Sequence, residues 1–217
     1  YITFIEKYKF GSHTLPGGIT TWAGADHGFG ITETGTATVG VSDASYELIP
    51  GGSDGDDAVI RFDGIDDGTG TNLQFNDTTY LLFMTSLAIT GNTNCKQSFG
   101  FNTSESAALD KGATTNGAWF TVDTAGALWA CQAGGSTNEN TQITGITLAN
   151  NNTYRIEVDQ AGDSTTYYVN GTLEATHTTA AAMPDGSTNL KAAIANTASG
   201  GAGTGNIYLH RAEFHVG

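Results

Sequence analysis

Positive charge is what this 217-residue chain has least of: 8 lysines and arginines stand against 22 aspartates and glutamates, a formal charge of −14. A surface of that sign repels phosphate backbones and anionic lipid headgroups, which sets aside nucleic acid and membranes as direct partners. Charged residues of either sign make up only 14% of the chain. No apolar run approaches the length of a membrane span, and no signal peptide is visible. Cysteine is scarce too. Cys95 and Cys131 pair only if their strands are neighbours, and two strand cysteines are more often free, buried and small. The chain begins at Tyr1 without a methionine, which leaves open a processed product, a fragment or a missing start.

What is abundant is turn and strand-face chemistry. Glycine fills 30 positions, hydrophobic residues make up 38%, and threonine, asparagine and serine separate the apolar runs. Helical turns are expected only in short stretches such as "SESAALDKGA". No linker, charge block or repeat divides the sequence, so residues 1–217 are expected to form a single domain. "YITFIEKYKF" and "NIYLHRAEFHV" both alternate, and these terminal strands are expected to pair with each other. The last run carries Ile207 and Leu209, then Phe214 and Val216, in separate phases. "YLLFMTSLAIT" is the longest apolar run and is expected to be a strand buried on both faces. "AVIRFDG", "NLQFND", "KQSFGFNTS", "GAWFTVD", "ALWACQAG", "NTQITGITL" and "TNLKAAIANTA" supply further strands. About a dozen strands with turn signals every eight to twelve residues predict an all-β, two-sheet sandwich. Two hairpins are marked, at Asp123–Gly126 and at Asn170-Gly171, where a type I′ turn needs positive φ at both centres. Residues 154–178 then form a three-strand meander.

The meander "YRIEVD…TYYVNGTLEAT", with "GAWFTVDTAGALWA" before it and "IYLHRAEFHV" after it, resembles the concanavalin A-like jelly roll. That superfamily includes legume-type lectins, laminin G-like modules and family 16 glucanases. The Gly/Thr/Ala-rich loops resemble the versions found in bacteriophage virion proteins, as capsid decoration or as head or tail fibre domains. The resemblance is clear over residues 95–217 and only compatible before that. Its motifs are structural, so it bears on fold more than on function.

Chemistry is harder to find. Period 2 places Glu157 and Asp159 on one strand face, with Ile156 and Val158 on the other. Retaining glycoside hydrolysis needs two carboxyls about 5 Å apart. The glucanases of the resembling superfamily carry Glu-x-Asp-x-Glu, with an optional extra residue before the last Glu. Ala161 and Gly162 stand where that Glu belongs, so no catalytic pair is expected and "EVD" reads as a solvated strand face. His13, His27, His177, His210 and His215 are scattered, without the spacing of a zinc site. No nucleophile elbow and no phosphate loop with lysine occurs; "GADHGFG" lacks both the lysine and the strand-to-helix context.

Two features leave binding open. Asp54, Asp56, Asp57, Asp63, Asp66 and Asp67 cluster on Gly-flexed loops, the donor type Ca²⁺ takes, but without EF-hand spacing. They read as solvated turns, so no cofactor is assigned and calcium stays the alternative. Trp22, Trp119, Trp129, Tyr167 and Tyr168 offer a stacking platform for sugars, against a core or subunit-interface role. Of each adjacent pair, Trp119-Phe120 and Tyr167-Tyr168, one member should point inward and one outward. No binding residue is assigned.

With the resemblance, these observations give the expectation of a non-enzymatic phage structural protein at the virion surface. Its partners would be the major capsid protein or other virion proteins, further copies of itself in a homo-oligomer, and host glycans. The alternative is a secreted, calcium-dependent carbohydrate-binding module or lectin.

Overall fold

The computed structural model describes residues 8–9, 30–42, 45–62, 80–103, 107–159, 163–184 and 191–216. "NLQFND" lies outside the described residues, and so does the terminal run except Tyr8–Lys9. The described strands are β1 (Tyr8–Lys9), β2 (Gly30–Glu33), β3 (Thr38–Ser42), β4 (Ser45–Ile49) and β5 (Asp57–Phe62). There follow β6 (Tyr80–Thr90), β7 (Cys95–Asn102), β8 (Gly117–Val122), β9 (Leu128–Ala133) and β10 (Asn138–Ile143). The last are β11 (Asn152–Asp159), β12 (Ser164–Val169), β13 (Thr172–His177), β14 (Lys191–Ala198) and β15 (Asn206–Val216). A short 3-10 turn, Ala180–Ala182, follows β13.

They form two antiparallel sheets. One has eight strands, in the order β13-β12-β11-β6-β15-β4-β3, with β1 pairing β15 beside β4. The other has seven, in the order β10-β9-β8-β7-β14-β5-β2. The architecture is the expected all-β jelly-roll sandwich.

Local chemistry accounts for the elements. In β11, Asn152, Tyr154, Ile156 and Val158 are buried while the residues between them face out, so alternation alone fixes the register. β11, β12 and β13 form the expected meander. Its turn has Asn170 at φ +52° and Gly171 at φ +82°, as type I′ requires.

Between the sheets the core is aromatic. Phe99 and Phe120, on β7 and β8 of the seven-stranded sheet, stack at 5.4 Å. Tyr154 of the opposite sheet meets both edge-on, at 4.7 and 5.3 Å, and Tyr167 meets Phe120 at 5.4 Å. A polar tie crosses as well: Asn196 on β14 donates to the Leu48 carbonyl of β4 at 2.9 Å and to the Gly205 carbonyl at 2.7 Å.

Two expectations change. β6 is buried on one face only: Leu81, Phe83, Thr85 and Leu87 point inward, whereas Leu82, Met84 and Ser86 are half-exposed. The "SESAALDKGA" stretch forms no helix over its described residues 107–113 and is held instead by sheet side chains. In β15, Ile207 and Leu209 are buried, and a register shift against β6 falls between Leu209 and Arg211, ahead of buried Ala212. Cys95 and Cys131 are both free and buried.

Because Phe120 touches rings of both sheets, Phe120→Ala should lower unfolding stability by about 3–5 kcal/mol, read from the urea midpoint at constant m-value.

Candidate functional site

The acid pair of "EVD" sits on the outer face of the eight-stranded sheet. Glu157 lies opposite Thr166 and Leu82 in the neighbouring strands, so no carboxylate opposes it there. Its Oε1 is 3.5 Å from Arg155 Nη1, and its Oε2 accepts from Thr166 Oγ1 at 3.3 Å. The Arg155 guanidinium in turn lies 3.8 Å over the Tyr168 ring. This is a surface ion pair anchored by a cation–π contact, the solvated strand face expected from the sequence.

The acidic loops are engaged within the fold. Asp54 Oδ1 accepts from the Gly200 N–H at 2.7 Å. Asp56 Oδ2 accepts from the Thr36 N–H, the Thr36 hydroxyl and the Ser53 N–H at 3.0–3.1 Å. Those donors, the Thr36 N–H first, hold its carboxyl below the usual aspartate range. Gly35 and Gly51 wrap it so closely that a Cβ would fall 1.8 and 2.1 Å from its side-chain atoms. Asp57 is buried between the Thr197 and Thr34 hydroxyls, and burial raises its carboxyl. Among the described residues no group of three or more acidic, histidine or cysteine side chains is placed to hold a metal. Asp63, Asp66 and Asp67 lie outside the described residues.

One histidine has a place that sequence spacing did not reveal. His177 is fully buried at the seam where β13 of one sheet meets β10 of the other. Its Nε2 is 3.1 Å from Thr141 Oγ1, its ring is 5.0 Å from Tyr167, and its Nδ1 has no partner. Glu139 closes the same seam, accepting from Gln132 Nε2 at 3.3 Å and from the Thr179 N–H at 3.0 Å. Burial lowers the His177 pKa, with Glu139 pulling the other way. His13 and His27 lie outside the described residues.

Two of the aromatics, Trp119 and Trp129, share the outer face of the seven-stranded sheet, and Trp22 lies outside the described residues. Cross-strand register puts Gly100, Trp119 and Cys131 in one row of that face, and Ala195, Ser98, Thr121 and Trp129 in the next. Phe120 and Tyr167 point into the core, as alternation requires, and Tyr168 faces out. Trp119 also leaves the core, yet it is fully buried, because residues 107–116 run over it.

This strap crosses five adjacent strands. Ala108 N–H donates to Thr197 Oγ1 of β14 at 2.7 Å, and Leu109 N–H to Ser98 Oγ of β7 at 2.9 Å. Thr121 Oγ1 of β8 donates to the Leu109 carbonyl at 2.7 Å. Asn140 and Asn138 of β10 donate to the Lys111 and Gly112 carbonyls at 3.4 and 3.2 Å. The Leu109 side chain packs with Trp119, Cys131 and Ala133 beneath it. Lys111 Nζ lies 4.1 Å from the Trp129 ring centre and 3.1 Å from Asp123 Oδ2.

Asp123 organises the β8–β9 hairpin, accepting from the Ala125 and Ala127 N–H groups at 3.0 Å and from Trp129 Nε1 at 3.0 Å. Burial raises its carboxyl, but the Ala127 N–H, Lys111, Trp129 and the Ala125 N–H outweigh that and leave it low. Trp129 is half-buried beside this acid.

No protein-family model matches the chain, and no curated protein matches its sequence. Solved structures do match in shape. The carbohydrate recognition domain of Emp46p in its potassium-bound form is 9% identical, with a TM-score of 0.59 over 86% of this chain and 88% of that one. A legume lectin-like domain from Entamoeba histolytica is 8% identical, with a TM-score of 0.59 over 89% and 92%. Apo Crh5 transglycosylase is 13% identical, with a TM-score of 0.62 over 99% and 84%. The likeness is one of fold, a lectin-like jelly-roll sandwich.

His177 sets an expectation for stability against pH. Its folded pKa lies below the ordinary 6.5, so its neutral form contributes stability that is complete above that value. That stability drains away as pH falls from 6.5 towards the folded pKa. Urea midpoints across pH 7 to 5 should decline in the native chain, and His177→Gln should flatten the decline. Equal slopes in both proteins would exclude His177 as the source.

Proposed function

We propose that the chain is a non-catalytic recognition module that takes an uncharged oligosaccharide on the outer face of its seven-stranded sheet. The observation that carries this is the row geometry there: Trp119 and Trp129 lie beside the Ser98 and Thr121 hydroxyls on adjacent strands. Trp129 is half-buried there and Trp119 lies wholly beneath residues 107–116; flat indole surface flanked by a few hydroxyls suits the apolar face and the edge hydroxyls of a pyranose ring. The neighbours in shape include two domains described as a carbohydrate recognition domain and as legume lectin-like, which supports the reading. An uncharged ligand follows from the net charge of −14, which disfavours anionic glycans. The non-catalytic part rests on Glu157, whose partners are Arg155 and Thr166. Independence from calcium rests on Asp54, Asp56 and Asp57, whose oxygens already accept hydrogen bonds inside the fold.

The finer proposal places the module at the surface of a virion, on the strength of its acidic composition and its Gly/Thr/Ala-rich loops. A second reading, assembly with capsid proteins or further copies of the chain, is favoured by one feature. Leu173, 52% exposed, lies across from Tyr168 on the outer face of the eight-stranded sheet, and the Arg155 guanidinium lies over the Tyr168 ring. An exposed leucine next to a stacked Tyr–Arg pair is interface chemistry.

A glycan array probed with and without EDTA, together with chromatography of incubated oligosaccharides, tests the first reading. Binding of neutral glycans that survives EDTA, without cleavage products, is expected. Binding lost in EDTA would make the chain a calcium lectin, and cleavage would make it an enzyme. Light scattering of the native chain and of Leu173→Asp, with and without purified capsids, tests the second; a native oligomer or capsid complex that the variant fails to form is expected.

A further inference from the structure

We infer that residues 107–116 act as an intramolecular stand-in for the glycan, covering the recognition face and having to lift before a sugar can bind. This rests on the recognition reading above and adds its regulation.

The strap makes with the sheet the set of contacts that a sugar would make. Three hydroxyls of the sheet meet the strap: Thr197 and Ser98 accept the Ala108 and Leu109 N–H groups, and Thr121 donates to the Leu109 carbonyl at 2.7 Å, with the Gln97 carbonyl as its alternative acceptor at 3.0 Å. Thr197 is set in its accepting role because its own proton goes to Asp57 Oδ1. A sugar hydroxyl satisfies either kind of group, so ring hydroxyls can replace the strap backbone bond for bond. In the middle of this polar frame sits one apolar plug, Leu109, packed with Trp119. The apolar face of a pyranose fills that place.

Two further observations separate a removable cover from a fixed part of the core. Only at its end does the strap run into the β7–β8 pairing, where the Thr103 N–H donates to the Asn116 carbonyl at 3.1 Å. Over Ala108–Gly112 the hydrogen bonds described above join side chain to backbone, supplemented by two ion pairs at the half-exposed margin, Lys96–Asp110 at 3.3 Å and Lys111–Asp123 at 3.1 Å. Beneath it, Trp119 Nε1 is buried without a hydrogen-bond partner. Closure therefore leaves an indole donor unsatisfied, which a hydroxyl at the edge of a bound sugar ring could take up.

The chain carries its own reporter. Cys131 lies fully buried under the strap, next to Trp119, and burial pushes its thiol pKa well up. Cys95 is buried elsewhere, with its Sγ accepting the Gly205 N–H at 3.2 Å and donating to the Thr93 carbonyl. Labelling of Cys131 by Ellman's reagent, assigned by mass spectrometry, thus reads strap opening, and Cys95 reads global unfolding.

The experiment compares the native chain with Leu109→Ser, which removes the plug, and Ala108→Pro, which removes the donor to Thr197. Both keep every sheet residue. Apparent affinity scales with the open fraction, so labelling of Cys131 and binding of neutral glycans on an array should rise together, by about tenfold in at least one variant. Cys95 labelling should stay unchanged. Faster Cys131 labelling with no gain in glycan binding overturns the proposal, as does unchanged Cys131 labelling in both variants. Equal glycan binding by all three proteins overturns it while leaving the recognition reading intact. No glycan binding even with the strap open removes the recognition reading, and the stand-in with it.

Discussion

Everything in this molecule hangs on a few aromatic rings that meet across the gap between two sheets. Phe99 and Phe120 come from one sheet, Tyr154 and Tyr167 from the other, and each sheet offers its rings from neighbouring strands. Neither sheet can bury its inner face alone, so these contacts set the spacing and the relative position of the two. The Tyr167 hydroxyl then reaches through to the Cys131 carbonyl of β9 at 2.6 Å. A core ring is thereby tied to the backbone of the sheet whose outer face carries Trp119 and Trp129. With Asn196 crossing at another point, the interface has directional bonds as well as area.

Much of this was legible in the sequence because strands advertise themselves by alternation. The β11–β13 meander, the Asn170-Gly171 turn and the inward aim of Phe120 and Tyr167 all follow from period 2 and turn chemistry. The all-β sandwich followed from the same signals. Where the outer face of a strand is covered by something else, alternation misleads. Trp119 was expected to point either into the core or to solvent, and it does neither, because a non-periodic stretch lies over it. That stretch gave no sign in the sequence: its hold comes from Ser98, Thr121 and Thr197, which look like ordinary strand-face hydroxyls. His177 was hidden for a related reason. Its partners Thr141 and Glu139 lie on a strand of the other sheet, and no local spacing encodes that pairing.

The acids illustrate how context assigns roles to one residue type. Glu157 is spent on a surface arginine, Asp56 on fastening two glycine-tight loops, Asp57 on orienting a threonine, and Asp123 on a hairpin and two neighbours. Composition counts them alike, and only hydrogen-bond partners tell them apart. The hydroxyls and indoles on the outer face of the seven-stranded sheet are neutral, on a chain whose net charge is strongly negative.

The position of β15 constrains how the molecule comes into being. That strand lies between β6 on one side and β4 with β1 on the other, and Asn206 bonds Glu47 across 159 residues of sequence. Until residues 206–216 have been synthesised, the eight-stranded sheet exists as two separate pieces with open edges facing each other. Such long-range closure is slow, and open edges are prone to pair with the wrong chain. During synthesis the nascent chain is thus most exposed to misassembly just before β15 emerges to cover the facing edges of β6 and β4.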